Sequence, residues 1–282
     1  MAEPLTLAIG RTAATAALFD GRVADPGLPL DLPALPAISR AFAPMVRDLR
    51  YMASEMAIAT FLMAKADGVP LLLLPCVLSS RFQEGALLCR RDAPIARPED
   101  LAGRRIGVRA YSQTTGMWLR GILAEGHGLA PEAMRWTTFE DAHLAAFRDP
   151  PWAERAAPVA TLEGMLREGS LDAAIFGAEL PAEPRFRPVF PDAAAAGAAF
   201  QARHGFVPVN HLLVMRADVA AARPAAIPAL LELLRASGVE VTSRAALAPA
   251  LALATKFCVE QGLIPRPLTL DNIWQGTPAS IG

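Results

Sequence analysis

Apolar residues fall in short blocks along this chain, and the polar positions between them predict alternating strands and helices. Thr6 to Ile9 is a short strand closed by Gly10. Asp20 to Pro36 is rich in Pro, Gly and Asp, which predicts a turn and then an extended piece. Residues 38–50, "ISRAFAPMVRDLR", carry apolar positions at helical spacing. In "YMASEMAIATFLMAKADG", Ser54 reads as an N-cap, Met56 to Lys65 as the helix and Gly68 as its stop, with Glu55 complementing the helix dipole. Val69 to Leu78 is a buried strand, about half as long as a membrane span requires. Further strands are expected at Gly85 to Arg90, Arg105 to Arg109, residues 134–139, Leu171 to Phe176 and Leu212 to Arg216. Helices are expected at Met117 to Glu125, around Leu162 to Leu166, over the alanine run 193–199, and at about 224–237 and 244–261. Asp141 to Pro158 reads as a polar, Pro-marked loop. The alternation predicts an α/β class with mainly parallel sheet.

Composition narrows the function classes. Of 282 residues, 53% are hydrophobic, enough for a sizeable core. The formal net charge is −1, and no basic stripe stands out, so nucleic acid is not an expected partner. Glu3 and Arg11 interrupt the N-terminus before any secretory apolar core can form, and Met1–Ala2 reads as a natural start, so a cytoplasmic location is expected. No membrane insertion is expected. Cys76, Cys89 and Cys258 are far apart and form no CxxC pair; they read as buried thiols of a reducing compartment. There is no HExxH, GxSxG or Walker-type loop, so neither a metal nor another cofactor is expected.

Three stretches carry candidate chemistry. In "VRAYSQTTGMWLRGIL" a strand runs into a helix through Ser112, Gln113, Thr114, Thr115 and Gly116. The N-terminus of a helix offers unpaired N–H groups and a positive dipole end, which suit a carboxylate. Gly116 is read as leaving room for that ligand. Ordinary capping explains the same residues, and locally both readings stand. In "CVLSSRFQEGALL" the buried strand leads to Ser80 and Arg81, and a guanidinium at a strand end suits a carboxylate; the plainer reading is a salt bridge from Arg81 to Glu84. His211, entering a strand from a loop, is the best of four histidines for moving a proton.

Taken in order, "SEMAIATFLMAKADG", "LSSRF", "PEDLAGRRIGV", "YSQTTGMWLRGIL", "FPD", "HGFVPVNHLLVMR" and "EQGLIPRPLT" resemble the 4,5-dihydroxyphthalate decarboxylase family from about residue 5 to residue 272. The resemblance implies a two-lobed α/β fold like type II periplasmic binding proteins, with a ligand cleft between the lobes. It implies residues 1–83 plus 199–282 as one lobe and 84–198 as the other. It implies that Ser54, Arg81, Gln113, Thr114, Thr115 and His211 face the cleft. The family's "RT" after the first strand is present as Arg11 and Thr12. Gln83 and Glu84 replace the usual Arg and His, and "AAAAGAAFQ" replaces a stretch with an acid and tyrosines. Two functions follow. One is a decarboxylase acting on a small hydroxylated aromatic carboxylate. In it Arg11, Ser80, Arg81, Ser112, Gln113, Thr114 and Thr115 hold the substrate, Ser54 orients a hydroxyl, and His211 or Glu84 moves a proton. The other is a non-catalytic solute-binding protein or sensor for a small organic anion. The sequence is compatible with a homo-oligomer and does not fix the oligomeric state.

Overall fold

The computed structural model describes residues 3–282, so the Met1–Ala2 start lies outside it. Packing divides the chain into two compact units. The first comprises the chain up to Ser80, Val209–Thr255 and Arg266–Gly282; the second comprises Arg81–Pro208 and Lys256–Pro265. The first unit opens with β1 (Leu5–Ala8), α1 (Ala16–Phe19), β2 (Leu30–Asp31), α2 (Ser39–Asp48), β3 (Ala53–Ala57), α3 (Ile58–Ala66) and β4 (Leu71–Ser80). The second adds β5 (Leu87–Arg90), β6 (Arg105–Val108), α4 (Thr114–His127), β7 (Arg135–Thr138) and β8 (Ala153–Arg155). It continues with α5 (Leu162–Glu168), β9 (Ala173–Ile175), β10 (Phe186–Pro188) and α6 (Ala193–His204). The chain then returns as β11 (Val209–Arg216), α7 (Ala217–Ala222), α8 (Ala226–Ser237), β12 (Glu240–Val241), α9 (Arg244–Glu260) and α10 (Leu270–Trp274).

Each unit is built on its own six-stranded sheet. The orders are β12-β4-β11-β3-β1-β2 and β10-β5-β9-β6-β7-β8. Both sheets are mixed, against the expectation of mainly parallel pairing. β1 runs parallel to β2 and β3, but β11 runs antiparallel to both β3 and β4. In the second sheet β9, β6, β7 and β8 are parallel neighbours, while β5 opposes β9 and β10. A helical crossover imposes parallel pairing. The chain leaves the first sheet at β4 and comes back as β11 only after residues 81–208 of the second unit, so no such crossover sets the direction of β11.

The first core packs Leu5, Leu7, Leu74, Leu213 and Met215 of the sheet against Ile227, Leu230 and Leu234 of α8. β3 lies in the middle of this sheet and is buried along its length. Ser54 therefore sits inside a strand and is not a helix cap. Ala53 and Ser54 pair with Leu7 and Ala8 on one side, and Ala53 to Ala57 pair with His211 to Met215 on the other. Ladder bonds on both edges prevail over the helical propensity of "SEMAIA", and α3 starts only at Ile58.

In the second unit Trp118 of α4 is surrounded by Phe200, Phe206 and Phe257, with ring centroids 6.2, 6.1 and 5.8 Å away. Gly121 permits this closeness: a Cβ there would lie 2.1 Å from the Phe257 ring. These contacts draw residues 199–208 and 256–265 into the second unit, whereas the expected division put both in the first lobe. The loop expected at 141–158 contains β8, a three-residue strand beside β7; it is too short and too exposed for its alternation to show. The three cysteines are free and buried, and burial pushes the Cys76 and Cys258 thiols up to about 12. Among the described residues no helix is long and apolar enough to cross a membrane.

Candidate functional site

In the second unit, α4 begins at Thr114, three residues earlier than its apolar spacing suggests, with Gln113 in extended conformation at the N-cap. Thr114 and Thr115 thus form its first turn. Arg81, just past the end of β4, donates from Nη2 to Thr115 Oγ1 at 2.9 Å and from Nη1 to Gln83 Oε1 at 2.9 Å. Gln83 Nε2 donates back to the Arg81 carbonyl at 2.6 Å. Both partners of the guanidinium are neutral, and burial alone acts on its pKa, lowering it. The alternative salt bridge to Glu84 is not formed. A partly desolvated cation fixed against the first turn of a 14-residue helix, with no carboxylate paired to it, has the chemistry that suits an anion. Gln113 has a buried amide oxygen with no hydrogen-bond partner, an acceptor that calls for a donor and not for a carboxylate. Ser112 is buried beside it in the strand-to-helix loop.

A residue outside the expected set lies behind this corner. Arg120 is fully buried; its Nε donates to Gln261 Oε1 at 2.8 Å and its Nη2 to the Tyr111 carbonyl at 2.6 Å. The guanidinium carbon lies 4.0 Å from the Tyr111 ring centroid and 5.1 Å from that of Trp136. Gly116 makes room for Arg120 and not for a ligand: a Cβ there would lie 3.0 Å from Arg120 Nη1 and 3.2 Å from Val108 Cγ2. Arg120 thus ties the strand-to-helix loop to α4 and leaves a second cation without an ion-paired carboxylate.

Glu84 points elsewhere. It is 1% exposed, its Oε2 accepts the Gln83 N–H at 2.9 Å, and its Oε1 has no partner. Burial raises its pKa. Its side chain lines a pocket with Ile122 to His127, near the C-terminal end of α4. That is seven to twelve residues beyond Thr115, or about 10–18 Å at 1.5 Å per residue. The carboxyl nevertheless adjoins the Arg81 corner through Gln83, whose backbone N–H binds Glu84 while its side chain binds Arg81.

In the first unit His211 lies within β11, opposite Ala57 of β3 and Ser79 of β4. Glu55, two residues before Ala57, is its diagonal neighbour on the same face. His211 Nδ1 is 2.6 Å from Glu55 Oε1, and Glu55 Oε2 accepts the Gly10 N–H at 2.9 Å. Thr15 Oγ1 holds the Gly10 carbonyl at 2.6 Å, and the edge of Phe42 packs on the imidazole at 5.1 Å. A carboxylate only accepts, so Nδ1 carries the hydrogen and Nε2 is the ring atom left for chemistry. At its place before an expected helix, Glu55 reads either as a functional group or as a complement to the helix dipole; the signal that favours the first is a carboxylate inside an otherwise apolar run.

The other expected residues do not join this pair. Ser54 alternates to the opposite face of β3, is fully buried, and donates to the Glu55 carbonyl at 2.7 Å, so it orients no hydroxyl. Arg11 is exposed, ion-paired with Asp20 and set over the Phe19 ring. Ser80 is exposed at the end of β4, opposite Val209. Among the described residues no cluster of three or more His, Cys, Asp or Glu is placed to hold a metal ion.

No protein-family model matches the chain. A 4,5-dihydroxyphthalate decarboxylase of Comamonas testosteroni is 26% identical over 293 residues, spanning 96% of this chain and 85% of that protein. Another, of Pseudomonas putida, is 30% identical over 183 residues, spanning 61% of this chain and 69% of that protein. Among solved structures, the periplasmic aliphatic sulphonate binding protein SsuA of Escherichia coli is similar at a TM-score of 0.53 and 14% identity, over 98% of this chain and 83% of that one. The desulfurization enzyme DSZB is similar at a TM-score of 0.53 and 16% identity, over 97% and 96%. These likenesses show the fold, a two-lobed α/β arrangement of the type II periplasmic-binding-protein kind. With 30% identity across more than two thirds of the Pseudomonas protein, the chain belongs to the 4,5-dihydroxyphthalate decarboxylase family.

Proposed function

We propose that this protein is a carboxy-lyase that removes CO2 from a small hydroxylated aromatic carboxylate. Arg81, Thr115 and the N-terminus of α4 hold a carboxylate of the substrate, and His211 supplies the proton. When the bond to the departing carboxylate breaks, its electron pair stays on the ring carbon. That carbon takes a proton from Nε2 of the imidazolium, CO2 leaves, and the neutral ring keeps its Nδ1 hydrogen toward Glu55. The observation that carries catalysis over simple binding is the Glu55–His211 contact at 2.6 Å. A binding protein needs a cation and donors, not a histidine locked by a buried carboxylate with one ring nitrogen left over.

The experiment is incubation with 4,5-dihydroxyphthalate in deuterated water, following CO2 release and the product by NMR. The expected result is CO2 release with one deuterium at the carbon that lost it, and a fall in kcat of about 100-fold or more for His211→Gln. Saturable binding with no CO2 over a long incubation, or an unchanged kcat in His211→Gln, overturns the assignment.

A further inference from the structure

The second unit holds a pocket of about 310 Å³ that the Arg81 corner does not use. This is at the small end of the range for small-molecule sites, ~300–1,000 Å³. Its walls come from α4, α6 and the turn that follows Arg81: Ile122, Phe190, Ala196, Ala199 and Phe200 supply apolar surface, and Glu84 supplies a carboxyl. Ala196 and Ala199 bring only methyl groups to this wall. Glu84 brings an almost wholly buried polar group with an unpartnered Oε1, and such an atom calls for a hydrogen-bond donor.

The charges around the pocket select the donor. Glu125, His127, Asp192 and Arg203 also line it. His127 is bound to Glu99, Glu125 pairs with Lys256, and Asp192 Oδ1 caps α6 by accepting the Ala195 N–H. Arg203 is exposed, where water and salt screen it. Among these groups Glu84 alone is buried with an oxygen unspent, beside walls that suit an apolar body.

We infer that this pocket is a second ligand site, for a small apolar molecule carrying one primary ammonium group, with Glu84 as its countercharge and Phe190 and Phe200 against its apolar part. The residues of α4 that line it lie about 10–18 Å along the helix from Thr115.

The test uses benzylamine as probe and benzyl alcohol as its uncharged counterpart, titrated into the full-length protein by calorimetry. Expected are saturable one-to-one binding of benzylamine, at least tenfold weaker binding of benzyl alcohol, and at least a tenfold loss in Glu84→Gln. Ala196→Phe, a change at a half-buried helix position that fills the pocket, is expected to abolish binding, while Arg81→Met leaves it unchanged. The inference fails if benzylamine shows no saturable binding, if benzyl alcohol binds equally well, or if neither pocket variant weakens binding. A loss of benzylamine binding in Arg81→Met also overturns it, because the amine would then be reading the other corner.

Discussion

Replacing Arg81 by Met separates a ligand-binding role from a structural one. Met keeps much of the stem and volume and removes the charge. On the ligand side, a charge-assisted guanidinium–carboxylate contact in a partly desolvated place is worth about 3 kcal/mol, which converts to a loss of roughly 150-fold in affinity. On the stability side two effects oppose each other. The variant relieves the desolvation of a cation that no carboxylate neutralises. It also strips the donors from Thr115 Oγ1 and Gln83 Oε1, at about 1 kcal/mol each. The net change is expected to stay within about 1 kcal/mol, whereas breaking a true buried ion pair costs about 3–5 kcal/mol. Affinity is read by calorimetry with 4,5-dihydroxyphthalate under conditions where turnover is slow. Stability is read by urea unfolding followed by tryptophan fluorescence, which reports mainly the second unit because Trp118, Trp136 and Trp152 lie in it. Unchanged affinity, or a stability loss of about 3–5 kcal/mol, refutes the anchor reasoning.

Two further predictions concern the fold. Burial raises the pKa of Glu84 above 4.5, so the folded protein keeps this proton where the unfolded chain has released it, and its contribution to stability falls as pH rises through and above 4.5. Glu84→Gln is therefore expected to raise the thermal midpoint at pH 7, with the gain shrinking toward pH 4; a gain that does not depend on pH contradicts this cause. Gly121→Ala puts a Cβ 2.1 Å from a Phe257 ring already held against Trp118, and about 1–3 kcal/mol of destabilisation is expected in urea. Gly126→Ala in the same helix, whose nearest neighbour would be Arg203 Nη1 at 4.0 Å, is expected to be neutral or stabilising by up to ~1 kcal/mol, and equal effects of the two variants would refute the steric account.

The legibility of the chain varied with the range of the interaction involved. Much of the alternation of strands and helices was readable, because apolar spacing and turn residues are local signals, whereas the two-unit plan followed only from the family resemblance. β3 was not. "SEMAIA" favours a helix when read alone, and only pairing with β1 and β11, the latter more than 150 residues later, makes it a strand. The same pairing hid Glu55, which becomes a partner of His211 only across that ladder. "YSQTTG" was legible as a strand-to-helix corner, and Arg81 as a cation at a strand end; their contact was not, since nothing in the spacing joins residues 81 and 115. Gly116 looked like space for a ligand until α4 formed and placed Arg120 one turn away, over it. Glu84 shows the opposite failure: it is next to Gln83 in sequence, yet the Gln83 side chain binds Arg81 while Glu84 lines a separate pocket.

The chain leaves the second unit at Pro208 and contributes to it once more with residues 256–265. Those few residues carry Phe257, which packs on Trp118 and fills the space over Gly121, and Gln261, which binds both Arg120 Nε and the Met117 carbonyl. On the ribosome, all of 81–208 is therefore made before its own core can close. The buried guanidinium of Arg120 stays without its side-chain acceptor, and an aromatic face stays open to water, until residues 256–265 have been synthesised. Folding of this unit waits on a segment made nearly 50 residues after Pro208, and a nascent chain that stalls between 208 and 256 presents an unsealed surface to whatever proteins attend it.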